Sequence, residues 1–299
     1  MTQNERKTDA SAKLPVNGNR LNTQIPGASF ATYENPGVSY AQAQFLRRLR
    51  REKRIITLCR ILILVLFLFL WELSARLGWI DSFIFCSPSL ILQTLKKLWV
   101  QEGLLSHITV TVTETLASFL LVVVFGTLIA VLLWLSQRLS QILEPYLVIL
   151  NSLPKSALAP LLIVWLGANE RTIIVAGMSV AIFGSIITLS TGFRETDPEK
   201  RKLVRTLGGT RLAELTKIVL PSSVPLILST MKVNIGLCLV GVIIGEFIGA
   251  RKGLGYLIIY GTQTFKLSWV LASILLLCML AVLLYGLLSL LERLYHQKR

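Results

Sequence analysis

Apolar and polar positions along this chain alternate on the scale of whole segments, not of single residues. Three runs, residues 116–135, 172–193 and 267–291, contain no charged side chain at all. Each is long enough for a helix crossing a hydrocarbon layer, which takes about 20 apolar residues. Three further segments are apolar but interrupted. Residues 55–71 carry Arg60, and the run is expected to continue past Glu72. Residues 142–166 carry Glu144, Asn151, Lys155 and prolines 145, 154 and 160; residues 218–245 carry Lys232 and Asn234 and end at Glu246. Together they predict six spans. Residues 109–115 alternate like a strand but run directly into uncharged sequence; an open strand edge in lipid leaves its backbone unsatisfied, so a helix is expected there.

Between the spans the polar segments differ in character. Residues 1 to about 43 are rich in Asn, Thr, Gly, Ser and Pro without apolar period, which predicts a disordered tail. Residues 41–54 read as a basic amphipathic helix at a membrane surface. The expected organisation is a tail over 1–54, a six-helix membrane domain over 55–292 with a long polar connection at 194–221, and a short tail over 293–299. After the first span, Cys86-Ser87-Pro88-Ser89 and residues 90–100 predict a turn and a short helix outside the membrane.

Composition strengthens this picture. The chain is 53% hydrophobic and 16% charged, against about 25% charged for an average soluble domain. The net charge of +15 does not point to nucleic acid, because of where it falls. Arg47, Arg48, Arg50, Arg51, Lys53 and Arg54 precede the first span, seven basic residues lie from Arg194 to Lys217, and Arg293, Lys298 and Arg299 close the sequence. With six spans these regions share one side, and the positive-inside bias makes it the cytoplasm, with both termini there. Lys96, Lys97, Arg171, Arg251, Lys252 and Lys266 fall on the outer side, the last group fitting the bias least. The four cysteines are widely spaced and the two histidines isolated, so neither a disulfide framework nor a metal site is expected. A cleavable signal peptide is not expected, since the first apolar run begins far into the sequence.

Residues 197–221, DPEKRKLVRTLGGTRLAELTKIVLP, are the chemically most informative stretch. Leu203, Val204, Leu207, Leu212 and Leu215 sit at helical spacing among charges of both signs. Such an interruption is either a solvated connector or a helix offered to a soluble partner. Gly208 and Gly209 permit a tight turn after a short helix, and Pro221 suits the first turn of the next span. Within the spans, Asn151, Ser152, Lys155 and Ser156 between helix-loosening prolines, and more weakly Lys232 and Asn234, are candidates for a polar path, because ionisable groups at membrane depth face protein or water. Glu246 is expected at the outer end, paired with Arg251 or Lys252. Thr109, Thr113 and Glu114 are expected to bond between helices.

In their order, these segments resemble the permease subunit of bacterial ATP-binding-cassette importers of the nitrate/sulfonate/taurine/bicarbonate group. The signature of such permeases is Glu-Ala-Ala, three residues, Gly, nine residues, then Ile-x-Leu-Pro. Gly208, Ile218, Leu220 and Pro221 fall at those spacings, whereas Lys202, Leu203 and Val204 stand where Glu-Ala-Ala would be. Ser87-Pro88-Ser89, the stretch LPKSALAPLLIVWLG over 153–167, and Glu246-Phe247-Ile248-Gly249-Ala250 followed by Gly253-Leu254-Gly255-Tyr256 extend the likeness over roughly residues 60–291. The resemblance implies a type I importer permease fold: all-α, six membrane helices and a coupling helix. It places Lys202, Leu203, Val204, Leu207, Gly208, Gly209, Leu212 and Pro221 in the contact with a separate ATPase subunit, which would bind ATP and Mg. It further implies an extracytoplasmic solute-binding protein, a second permease copy as a homodimer, and residence in the bacterial inner membrane. The expected cargo is a small anion; a neutral vitamin precursor is the alternative.

No GxxxxGK[ST] motif is present, and Leu207-Gly208-Gly209 lacks the strand and the Lys-Ser/Thr of a phosphate loop. The chain is thus not expected to be an enzyme, nor to hold a cofactor of its own. A secondary carrier would show paired broken helices in two similar halves, which the sequence lacks. A membrane-embedded enzyme would need a cluster of reactive side chains in its spans, and none is evident.

Overall fold

The computed structural model describes residues 40–79, 86–101 and 103–297. The expected disorder of the N-terminal tail and the last two residues lie outside that range, as do the side chains that would test the amphipathic character of residues 41–50. The chain divides into two units, residues 1–62 and 63–299. In the first, the described residues belong to helix α1 (Tyr40–Arg76), whose later turns fall in the second.

Among its described residues the second unit consists of helices joined by short turns, with no strand. After α1 come α2 (Pro88–Gln101), α3 (Leu104–Leu135), α4 (Gln137–Ser152), α5 (Lys155–Leu166) and α6 (Glu170–Arg194). There follow α7 (Pro198–Thr206), α8 (Arg211–Glu214), a π turn (Leu215–Val219), α9 (Leu220–Gly249), α10 (Leu254–Gln263) and α11 (Leu267–Gln297). Among the described residues five helices are long and apolar enough to cross a membrane, and α4 with α5 makes a sixth if that bent pair is one span. Residues 109–115 are helical, as lipid exclusion of open strand edges requires.

Two boundaries depart from the sequence reading, one set by a proline and one by a helix cap. The third span is not straight: α4 and α5 meet at an angle of 96°. Pro154 has no N–H to continue the ladder and pushes the preceding residue out of the helical region; Leu153 accordingly has φ −63° and ψ 140°. The fifth span starts earlier than residue 218, because Thr210 caps α8 by accepting from the Ala213 N–H at 3.3 Å. From there the chain is helical without a break over Arg211–Gly249. Its ladder widens to the π pattern just before Pro221, where an α ladder would have called for the N–H that proline lacks.

At the core of the second unit, α6 packs between α3 and α9. Small residues allow the approach: a Cβ on Gly241 would lie 2.8 Å from the Gly177 Cα and 3.0 Å from the Ala176 carbonyl oxygen. Ser118 of α3 bridges to α6 by donating to the Ile174 carbonyl at 2.9 Å. Val122, Ala181, Ile186 and Cys238 fill the space between these helices. At the junction of α1 and α2, Glu72 accepts from the Ser89 N–H at 3.1 Å and from its hydroxyl at 3.0 Å. That places a carboxylate at a helix N-terminus, where the backbone dipole favours it.

Candidate functional site

The polar segment after α6 is a pair of short helices on a rigid turn. Asp197 caps α7 by accepting from the Glu199 N–H at 2.9 Å, and Pro198 occupies its first position. The helix closes with two bonds: Gly208 N–H donates to the Arg205 carbonyl at 3.0 Å, and Gly209 N–H to Val204 at 2.8 Å. This is the Schellman arrangement, which calls for a left-handed residue after the cap; Gly208 supplies it with φ 79°. Gly209 is needed for a different reason, since a Cβ there would sit 2.8 Å from the Val204 carbonyl oxygen.

This turn exposes apolar side chains. Leu203, Leu207 and Leu212 are 60%, 78% and 61% exposed, beside the exposed Lys202, while Val204 is half-buried and Pro221 lies in the first turn of α9.

Beneath it lies a carboxylate that sequence reasoning missed. Glu214 is fully buried and pairs with Arg201 and with Arg205, the latter at 2.9 Å. The Arg201 guanidinium also stands 5.5 Å over the Trp134 ring of α3. The Trp134 indole N–H donates to the Phe193 carbonyl of α6 at 3.1 Å, and Arg211 donates to the Leu135 carbonyl at 2.8 Å. Arg194 pairs with Glu144 at 3.6 Å and bonds to Ser140. The available signal was Arg201 and Arg205 one turn apart, on one face of a helix.

The six residues considered for a polar path fall in three places. Asn151, Ser152, Lys155 and Ser156 surround the break between α4 and α5. There Ser152 donates to the Val148 carbonyl at 2.8 Å, and the Lys155 ammonium bonds to the Asn151 carbonyl that the break leaves without a helical partner. Lys232 is elsewhere, half-buried and paired with Glu292 of α11 at 2.6 Å. Asn234 is buried and donates to Ser185 of α6 at 2.9 Å.

Glu246 does not pair with Arg251 or Lys252. It is 1% exposed and accepts from the Thr111 hydroxyl at 2.6 Å and from the Gly255 N–H at 2.6 Å. Tight packing explains this: the Gly253-Leu254-Gly255 turn closes directly over the carboxylate, with Leu254 N–H donating to Thr111 at 2.8 Å and Gly253 N–H to His107 at 3.1 Å. Thr109 and Thr113 bond to carbonyls of their own helix instead of a neighbour's. Glu114 lies against Glu246, 3% exposed, with no hydrogen-bond donor placed on either carboxyl oxygen. A cavity of about 850 Å³ opens beside it, lined by Asn169, Glu170, Arg171, Arg251 and Lys252 as well as Glu114.

Known proteins resemble this chain in sequence and fold. Residues 122–298 match the family described as "Binding-protein-dependent transport system inner membrane component". A probable ABC transporter permease of Haemophilus influenzae is 32% identical over 75% of this chain and 91% of its own length. A putative aliphatic sulfonates transport permease of Bacillus subtilis is 28% identical over 75% of this chain and 81% of its own. A formylaminopyrimidine transport permease of Halalkalibacterium halodurans is 26% identical over 65% and 77%. Among solved structures, the inward-facing MetNI methionine ABC transporter superimposes with a TM-score of 0.59 at 20% identity, covering 66% of this chain and 97% of that one. That likeness establishes a type I importer permease fold. The chain therefore belongs to the inner-membrane components of binding-protein-dependent ABC importers, transport subunits that are not themselves enzymes and that work with an ATPase and a substrate-binding protein.

Proposed function

We propose that this permease carries a small anion, of the nitrate, sulfonate, taurine or bicarbonate kind, and that α7 and its Gly208 turn are where the ATPase engages. The observation that carries the second part is the trio Leu203, Leu207 and Leu212, exposed on a rigid turn between two apolar spans. Exposed leucines on a polar segment are unfavourable in water and favourable in a partner's cleft. Lys202, Val204, Gly209 and Pro221 frame that contact. The ATPase binds ATP and Mg. Its closure on nucleotide moves α7, and the pathway between two copies of this chain switches from inward to outward access; hydrolysis resets it. The basic segments before the first span and around α7 favour a cytoplasmic position for both termini.

The polar break at Asn151, Ser152, Lys155 and Ser156 supports passage of an anion, since the lysine ammonium sits where the helix opens. Lys232 and Asn234 contribute to the helix contacts that hold the path. The sulfonate permease among the relatives supports an anionic cargo, and the formylaminopyrimidine permease favours a neutral vitamin precursor as the second reading. Uptake of labelled taurine and of a labelled pyrimidine by vesicles holding the complete transporter separates the two. For the docking, a Leu207→Asp, Gly208→Asp double variant should reach the membrane but lose co-purification with the ATPase subunit and lose uptake. Wild-type co-purification and uptake in that variant would sink the assignment.

A further inference from the structure

Chain connectivity alone gives α7 only two links: residues 195–197 to α6, and residues 207–210 to α8. The Gly208 turn fixes how α7 leaves its last residue, but backbone links at its two ends do not by themselves fix its angle against the membrane helices. Something must hold α7 at a fixed angle if its displacement is to reach the membrane helices. Resting on the docking proposed above, we propose that Glu214 is the positioning residue that makes α7 move as one body with α3, α6 and α9.

Geometry carries the argument. Glu214 is the last residue of α8 and opens directly into the π turn that runs on into α9. Its buried carboxylate holds Arg201 and Arg205, on adjacent turns of α7, so the helix is tied to one anchor from two successive turns. Arg201 is shared. Its guanidinium lies over Trp134 near the end of α3, and that indole is bonded to the Phe193 carbonyl near the end of α6. One carboxylate thus joins the docking helix to α9 directly, and through Arg201 and Trp134 to two more membrane helices. Arg211, beside it, bonds to the last carbonyl of α3. An ion pair placed only for stability would not need the aromatic third member, nor a position between the docking helix and the root of a membrane-crossing one.

The test uses the complete transporter, permease with its ATPase subunit, in lipid nanodiscs. Exposed Cys59 and Cys278 are replaced by alanine, and spin labels are placed at Lys200→Cys on α7 and Leu132→Cys on α3. The distance between the labels is measured without nucleotide and after trapping with ATP and vanadate. In the parent chain the most populated distance should not change, because α7 and α3 travel together. In Glu214→Gln, which keeps the shape but removes the charge, trapping should shift that distance while basal ATP hydrolysis continues. Glu214→Asp should restore the parent behaviour. A Glu214→Gln distance as invariant as the parent's overturns the proposal, and so does a parent distance that itself shifts. If Glu214→Gln fails to assemble, Arg205→Gln, which leaves Arg201 in place, carries the same measurement; failure of both to assemble shows a purely structural ion pair and also overturns it. Loss of the ATPase from the unaltered chain would instead count against the docking reading.

Discussion

Glu246→Ala should destabilise this protein markedly more than Glu246→Gln, and the structure gives the size of the gap. The carboxylate accepts from two donors, the Thr111 hydroxyl and the Gly255 N–H, in a site with 1% exposure. Alanine removes both acceptors. The Thr111 hydroxyl can rotate, but the Gly255 N–H cannot, and a buried donor left without an acceptor costs about 1–3 kcal/mol. Glutamine keeps one acceptor oxygen for the Gly255 N–H, and its amide N–H groups then face Thr111, whose hydroxyl can turn to accept. The expected separation between the two variants is therefore about 1–3 kcal/mol, or roughly 2–12 °C in apparent melting temperature at about 2–4 °C per kcal/mol for a domain of this size. Tryptophan fluorescence during heating in nanodiscs reads it directly. Gly255→Ala provides the control from the opposite side, since its Cβ would meet the Glu246 Cβ at 2.9 Å and the Ile243 carbonyl at 3.1 Å, an overpacking worth about 1–3 kcal/mol. Equal melting of the Ala and Gln variants would refute the claim that this carboxylate holds the turn at the start of α10.

Other substitutions separate structural from transport roles. Lys232→Met should lower stability by about 1–3 kcal/mol, between the values for surface and buried pairs, because it strands Glu292 in a half-buried site. The Lys232→Met, Glu292→Met double variant should recover most of that loss in the same melting assay. Lys155→Ala should insert and assemble normally yet lower anion uptake in reconstituted vesicles, with no comparable loss for a neutral pyrimidine. Unchanged anion uptake would remove Lys155 from the pathway.

Long-range order along the chain was legible wherever one residue type decided the outcome. Uninterrupted apolar runs are forced into helices because lipid offers the backbone no partner, so α3, α6 and α11 could be placed from composition. Gly208 was legible because the Schellman turn admits few other residues. The bend between α4 and α5 was half-legible: three prolines announced an interruption, but the 96° angle depends on Leu153 leaving the helical region. Contacts between distant segments could not be read. Glu246 and Gly255 belong to a turn whose closure over the carboxylate is a matter of packing, so nearby Arg251 and Lys252 were the natural but wrong partners. Glu214 was hidden by burial, since Arg201 and Arg205 signalled an acid on their face but only packing decides which one is enclosed there.

The unbroken helix over Arg211–Gly249 spans 39 residues, a rod of about 58 Å at about 1.5 Å per residue. A hydrocarbon layer is only about 30 Å thick. One continuous helical element thus begins at the foot of the polar turn and ends beside the cavity lined by Arg251 and Lys252, with a buried acid near each extremity. The π turn at Leu215–Val219 and Pro225 are the two places within it where a tilt at its foot would be absorbed. Under the docking proposed above, the two faces of the bilayer are joined by one continuous backbone, and stiffening it at Pro225 is the way to lengthen its reach.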